Sequence, residues 1–242
     1  MYSLIRASLA VITITVLIAF TPAITAEKKS TVHTVITGTE EKSVNTAVAK
    51  YNTWQLEQAG ISFEAFSNAV KGYSNLTKNH RLNNKDIITI IDFTKASTEK
   101  RLFIIDMNSG AILYKTLVAH GRNSGQLFAK SFSNTESSYE SSLGFYITSS
   151  TYDGKHGYSL KLNGCEKGIN SNAEKRAIVV HGADYVSELF IQQNGFLGRS
   201  HGCPALPEAL SKEIIDVIKN GSCLFIYAPV KKYLKQSVLL KS

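Results

Sequence analysis

The sequence has few of the residues that mark several common classes of protein. Among 242 residues there are only three cysteines and four prolines, and no two cysteines form a Cys-x-x-Cys motif. Three cysteines are too few for a disulfide scaffold, and the missing motif argues against thiol redox chemistry. With 19% charged and 43% hydrophobic residues, the chain is also not disordered, collagen-like or of low complexity.

Acidic residues are in short supply. The chain has 19 Asp and Glu against 27 Lys and Arg, which gives a formal net charge of +8. This balance suits an anionic partner such as nucleic acid, a membrane surface or an acidic cell-wall polymer, and charge alone does not choose among them.

Long apolar runs are missing after the first two dozen residues. Residues 7–20 are almost wholly apolar, follow Arg6, and precede small residues that end at Ala26. We therefore predict a secretory signal peptide over residues 1–26, because the run is shorter than the ~20 residues that a spanning helix needs. An uncleaved anchor is the weaker alternative. Export to the periplasm or cell wall argues against nucleic acid as a partner and leaves no stable membrane span after cleavage.

The rest of the chain divides by its hydrophobic period. Residues 27–42 are polar and predict a linker, and residues 43–80 predict a helical pair in which Ser43 and Ser62 are the caps. Residues 81–230 carry short β-branched runs typical of strands. The seven predicted strands are residues 87–91, 102–107, 111–118, 145–149, 158–162, 177–180 and 223–227.

One late helix interrupts these strands, with Pro207 near its first turn and Gly221 as its stop. Residues 231–242 form a basic tail that we expect to be solvated. The predicted fold class is therefore α+β: a mainly antiparallel β domain preceded by a short N-terminal helical pair.

The residues that suggest chemistry gather in two segments. His181 ends an apolar strand and is followed by Gly182, and Cys203 stands between Gly202 and Pro204. An odd number of cysteines leaves at least one thiol unpaired in an exported protein. A thiol attacks only as its thiolate, so it needs a base, for which His181 is the candidate, and backbone N–H groups near Cys203 are candidates for an oxyanion hole.

Two other kinds of function compete with a cysteine enzyme. A zinc hydrolase would draw on the histidines and Cys203, but the chain lacks His-x-x-x-His spacing and a nearby Glu that would act as general base. A catalytically silent wall-binding module would use the basic charge and keep the cleft, yet it gives no reason to retain both His181 and Cys203. We expect no metal and no cofactor.

Six motifs together resemble one family. The motif around the cysteine, Gly198-Arg199-Ser200-His201-Gly202-Cys203-Pro204-Ala205, and His181-Gly182 resemble the signature of the murein L,D-transpeptidase catalytic domain family, a divergent branch of the YkuD-like enzymes. Earlier motifs of that branch also have counterparts here, and the resemblance covers residues 87–229. The earlier motifs lie at residues 120–125, 132–134, 141–144 and 154–160.

The resemblance implies an exported cysteine acyltransferase that acts on the stem peptides of peptidoglycan. Cys203 would attack the carbonyl between the third stem residue and its terminal D-amino acid, with His181 as base. The acyl-enzyme would pass to an amine, which makes a crosslink, or to water, which trims the stem as an L,D-carboxypeptidase does. Eighteen residues between His181 and Ser200, and Pro204 after the cysteine, depart from the better-known crosslinking enzymes. The acceptor therefore stays open.

The remaining candidates have supporting roles. Substrate binding or the oxyanion hole is assigned to Gly202, His201, Ser200, Arg199 and Gly182, although Arg199 has bracing of the loop as an equal alternative. A polar cluster that includes His120, Arg122 and Ser124 either lines the cleft or closes a turn after a strand. Cys165 and Cys223 are predicted to be structural, with a disulfide between them left open. His156 lies either near the cleft or at the surface, and His33 and His80 are expected to be solvated. The oligomeric state is not predicted.

Overall fold

The computed structural model describes residues 38–241, and their side chains from residue 45 onward. The predicted signal peptide, most of the predicted linker and His33 lie outside the described residues. Within that range, no helix is long and apolar enough to cross a bilayer.

A helical pair opens the described part of the chain. Helix α1 spans Gly38–Thr53, so it begins before the predicted start at Ser43, and helix α2 spans Phe63–Lys78. Ser62 is the N-cap of α2, as predicted, and its Oγ accepts the Ala65 N–H at 3.3 Å. The apolar face of α2 packs so closely on the sheet that a Cβ at Gly72 would lie 2.0 Å from the Phe145 ring.

Eight strands follow among the described residues, one more than the sequence predicts. They are β1 (Ile87–Asp92), β2 (Leu102–Asp106), β3 (Ile112–Thr116), β4 (Gly144–Gly154), β5 (Gly157–Gly164), β6 (Val179–Ala183), β7 (Ala205–Pro207) and β8 (Cys223–Tyr227). The strand that the sequence does not reveal is β7, because three residues that follow one proline and end on another show no alternation of apolar and polar side chains.

These strands form one sheet in the order β3-β2-β1-β8-β4-β5-β6-β7. Neighbours pair antiparallel except for β1 with β8 and β6 with β7, which are parallel. The predicted fold class is confirmed: a mainly antiparallel β domain follows a helical pair. The parallel pair β6–β7 positions the candidate site, because β6 carries His181 and β7 begins two residues after Cys203.

Three short helices complete the fold. Helix α3 spans Glu188–Asn194, helix α4 spans Glu208–Ile218 with Pro207 as its N-cap, and helix α5 spans Lys231–Gln236. Helix α5 lies in the basic tail, residues 231–242, which was predicted to be solvated and is instead packed against the domain. Tyr233 is 4% exposed, and Leu239 and Leu240 are each 7% exposed. Their apolar side chains turn inward while the lysines of α5 stay in solvent.

Candidate active site

The loop that carries Cys203 is closed by its own hydrogen bonds. Ser200 Oγ accepts the Gly202 N–H at 3.0 Å and donates to the Cys203 carbonyl at 2.6 Å. Gly202 has a φ of +124° and lies so close to Glu140 that a Cβ would be 2.7 Å from its carbonyl oxygen. Glycine is therefore required here by both backbone conformation and space. The Gly202 N–H, predicted as part of an oxyanion hole, is already used to close the loop.

A second segment, residues 120–125, is hydrogen-bonded to the cysteine loop. The Ser200 N–H donates to the His120 carbonyl at 3.0 Å. Ser141 joins the two segments, since its Oγ accepts the Gly121 N–H at 3.0 Å and donates to the Gly202 carbonyl at 3.2 Å. Three motifs that are far apart in sequence thus meet around the cysteine loop.

The Cys203 thiol is partly buried and hydrogen-bonded to the backbone. Its Sγ donates to the Ala177 carbonyl at 3.6 Å, and Ala177 has a φ of +51°, a strained backbone conformation for a residue with a Cβ. Burial raises the pKa of this thiol above its ordinary value, while the Val179 N–H and the Arg176 guanidinium act in the opposite direction.

His181 lies on β6, beside the strand that the cysteine loop leads into. It pairs with Ala205 in parallel register, and Cys203 lies in the loop two residues before Ala205. The Val179 N–H that acts on the thiol belongs to the same strand as His181, two residues before it. The sulfur is hydrogen-bonded to the Ala177 carbonyl, and among the described residues it has no direct bond to the imidazole.

The imidazole of His181 is oriented by its surroundings and kept neutral. Its Nδ1 lies 2.8 Å from the Gly182 carbonyl, which assigns the hydrogen to Nδ1 and leaves the lone pair on Nε2. Its ring stacks on His156, with centroids 4.6 Å apart. Burial lowers the pKa of His181, and His156 lowers it further against the opposing effect of the Gly182 carbonyl. A neutral imidazole with a free Nε2 has the form that a general base needs.

A comparison with known protein families places this chain in one of them. The sequence profile of the L,D-transpeptidase catalytic domain matches residues 57–227, which is more than half of the chain. The chain belongs to the L,D-transpeptidase catalytic domain family. No curated protein matched it.

Solved structures of L,D-transpeptidases are similar to this chain over part of their length. The first is from Mycobacterium smegmatis, at 12% identity over 59% of this chain and 59% of that one, with a TM-score of 0.37. One from Mycobacterium tuberculosis has 12% identity, coverage of 59% and 58%, and a TM-score of 0.39. One from Stackebrandtia nassauensis has 14% identity, coverage of 68% and 66%, and a TM-score of 0.36. This chain therefore spans about three fifths of the length of the first two.

Two of the candidate cleft residues of this L,D-transpeptidase domain are instead buried within it. His120 is 0% exposed; its Nδ1 accepts from Arg101 at 2.7 Å and its Nε2 lies 3.2 Å from the Gly125 carbonyl. Ser124 is 1% exposed, and its Oγ accepts the Ser141 N–H at 2.8 Å. The burial of both residues favours the other alternative that the sequence left open, in which polar side chains after a strand satisfy the hydrogen bonds of a buried turn.

Three other predicted residues lie at the outer side of the cysteine loop. The ring of Tyr139 joins two of them, with the Arg122 guanidinium 4.1 Å from its centre and the His201 ring 4.5 Å away. Arg199 is exposed, lies over Phe196 at 5.2 Å and donates to the Gly125 carbonyl at 3.4 Å. Arg199 therefore braces the neighbouring turn. His156, for which the sequence left two alternatives, is exposed and lies on His181.

Arg176 is the residue near the thiol that the sequence analysis missed. It stands in the polar run Asn172-Ala173-Glu174-Lys175-Arg176, where nothing distinguishes it from Lys175. It helps to line a polar pocket of about 220 Å³ beside the cysteine loop. The pocket is formed by Glu136, Ser137, Tyr139, Lys175, Arg176 and His201.

The other two cysteines are free thiols. Cys165 is half-buried and Cys223 is buried, and neither forms a disulfide. Burial raises the pKa of both, that of Cys165 to about 11. Among the side chains of residues 45–241, no three His, Cys, Asp or Glu residues converge as a metal site would require.

Proposed function

We propose that this protein is an exported cysteine acyltransferase that acts on the stem peptides of peptidoglycan. Cys203 is the nucleophile, His181 is the general base, and Gly182 is the residue whose carbonyl orients the base. The signal-like residues 1–26 support export to the periplasm or cell wall, and the net charge of +8 suits an acidic wall polymer.

The proposed reaction has two half-reactions. In the first, the Cys203 thiol gives its proton to His181 Nε2, and the thiolate attacks the carbonyl that joins the third stem residue to its terminal D-amino acid. The C–N bond breaks, the proton passes to the leaving amine, and a thioester and a free D-amino acid result. In the second, an amine or water attacks the thioester, His181 takes its proton, and the thiol is restored.

The observation that supports this best is the position of both residues at the parallel pair β6–β7 of a domain in this family, with His181 on β6 and Cys203 in the loop that enters β7. The neutral state of His181, with Nδ1 bonded to the Gly182 carbonyl, also suits a general base. In the described state the thiol donates to Ala177, so it must turn away from that carbonyl before His181 can take its proton.

The test measures release of the D-amino acid from a tetrapeptide stem by the wild-type protein and three variants. We expect no release by Cys203→Ala and almost none by His181→Ala, because nucleophile and base act as a unit. Cys165→Ala is the matched control, since it removes a thiol of similar exposure elsewhere in the domain and should release D-amino acid at the wild-type rate. Mass analysis of muropeptides from treated sacculi then separates crosslinked from trimmed products.

Each competing function predicts a different result. A zinc hydrolase would lose activity to a chelator and tolerate Cys203→Ser, whereas a silent wall-binding module would bind sacculi with no release. Undiminished release by Cys203→Ala would reject the cysteine mechanism. Export is tested separately, by fractionating cells that express the chain with and without residues 1–26.

A further inference from the structure

Arg176 carries a positive charge that no carboxylate neutralises by direct contact among the described residues. Its guanidinium makes four hydrogen bonds, all to neutral oxygens of residues 133–142. Nη1 donates to the Ser133 carbonyl at 2.7 Å and to Ser142 Oγ at 2.5 Å. Nη2 donates to Ser138 Oγ at 3.2 Å and to the Glu140 carbonyl at 2.6 Å. The charge is therefore fixed in place without being paired.

The fixed charge lies against the cysteine loop. Nη2 is 3.2 Å from the position that a Cβ on Gly202 would occupy, and Gly202 directly precedes Cys203. On the other side, Ala177 follows Arg176 in the chain and accepts the hydrogen bond of the thiol. Arg176 therefore lies against Gly202, which precedes the cysteine, and is adjacent in sequence to Ala177, which accepts the hydrogen bond of the thiol.

The other titratable groups around the thiol are not fixed cations. His181 on β6 is neutral, and burial raises the pKa of Tyr185, in the loop after β6, to about 12. His201 is exposed in the cysteine loop itself. On the opposite segment, the Glu140 carboxylate accepts from Ser131 Oγ, and Lys175 is paired with Glu136. A positive charge held beside a thiol favours the thiolate.

We propose that Arg176 is a positioning residue for Cys203: its fixed charge favours the thiolate, and its four hydrogen bonds to residues 133–142 fix the segment that holds Ala177, the hydrogen-bond partner of the thiol. This rests on the proposed role of Cys203 as the nucleophile. Arginine suits both tasks, since its planar group has enough donors for four bonds, whereas a lysine at this position would keep the charge and lose most of the bonds.

The test follows alkylation of Cys203 by iodoacetamide across pH in the full chain, with the modified peptide identified by mass. Iodoacetamide is small and neutral, so its rate reports the thiolate fraction and needs no peptidoglycan. We expect Arg176→Met to raise the pH midpoint by about one unit or more, which slows alkylation near pH 7 at least tenfold. Arg176→Lys should keep a midpoint near that of the wild-type protein.

Lys175→Met is the matched control. Lys175 is the neighbouring cation, its side chain is 70% exposed, and its charge is already paired with Glu136. We expect this variant to leave the midpoint unchanged. Alkylation of Cys165 and Cys223, followed in the same samples, should not respond to any of the three substitutions.

Two results would overturn the inference. One is a folded Arg176→Met protein, verified by its thermal unfolding, whose Cys203 midpoint equals that of the wild-type protein. If Arg176→Met does not fold, Arg176→Lys decides, because a midpoint raised by a unit despite the retained charge would exclude a charge effect. A shift in Cys203 reactivity together with no D-amino acid release by the wild-type protein would reject the proposed function and leave only the effect of Arg176 on the Cys203 thiol.

Discussion

The buried pair of Arg101 and His120 predicts a specific loss of stability in acid. Arg101 is 0% exposed and donates to His120 Nδ1 at 2.7 Å, and to the Val118 and Lys95 carbonyls. Burial, and then the charge of Arg101, lower the pKa of His120 to about 3. Protonation would place a second buried cation against the first and remove the acceptor that Arg101 uses.

The magnitude follows from linkage. His120 has a pKa of about 6.5 in the unfolded chain, so the unfolded state binds this proton more readily than the folded state. Its contribution to stability is therefore complete above about pH 6.5 and is lost as the pH falls toward 3. Between pH 7 and pH 4 this single group should remove about 3 kcal/mol from the free energy of unfolding, at about 1.36 kcal/mol per pKa unit.

The assay compares urea unfolding of the wild-type protein and His120→Gln at several pH values between 7 and 4. Glutamine offers an acceptor to Arg101 and a donor to Gly125 but does not titrate. Carboxylates common to both proteins cancel in the difference, so the wild-type protein should lose about 3 kcal/mol more than the variant over this range. Equal losses in the two proteins would show that His120 is not the buried neutral group described above.

Three further predictions concern the site and the carboxyl end. Gly202→Ala should lower the free energy of unfolding by about 1–3 kcal/mol and abolish D-amino acid release, because its Cβ would collide with the Glu140 carbonyl. Gly168→Ala, with a φ of +77° and open space around it, is the urea-unfolding control and should lose only the backbone part, about 1–2 kcal/mol. His156→Ala should shift the acid side of the pH–rate profile of D-amino acid release to higher pH, because removing the stacked ring exposes His181 to solvent and raises its pKa. Lys155→Ala is the control and should leave this profile unchanged. An unchanged profile in both variants would contradict the role of the stack. A chain that ends at residue 230 should unfold at a clearly lower temperature than the wild-type protein, since burial of Tyr233, Leu239 and Leu240 contributes roughly 1.5–3 kcal/mol for each large side chain. An unchanged unfolding temperature would mean that residues 231–242 are solvated, as the sequence predicted.

Much of the fold could be predicted from local patterns. The β-branched runs locate seven of the eight strands, and the cap at Ser62 locates α2. Pairing could not be predicted, because the parallel partners β1 and β8 are separated by most of the domain and no local period records that contact. Helix α3 was also missed, since none of its residues is buried and it therefore has no apolar stripe.

The candidate site divides in a similar way. Cys203 and His181 could be singled out because a thiol between Gly202 and Pro204, and a histidine at the end of an apolar strand, are unusual in sequence. His120 could not be recognised as internal, since its burial depends on the distant Arg101. Arg176 was missed because its importance lies in what surrounds it in space, and surface lysines and arginines look the same in sequence.

Strand β8 determines when this domain can be assembled. In the described sheet it pairs with β1 on one side and β4 on the other, so it joins the β3-β2-β1 group to the β4-β5-β6-β7 group. Because β8 (Cys223–Tyr227) follows the other seven described strands in sequence, the sheet cannot close until residues 223–227 have been synthesised. Until then β1 and β4 are open edges that can pair with other chains, and the long-range pairing slows folding. A chain truncated before β8 would therefore form two separate, aggregation-prone sheets and not a smaller stable domain.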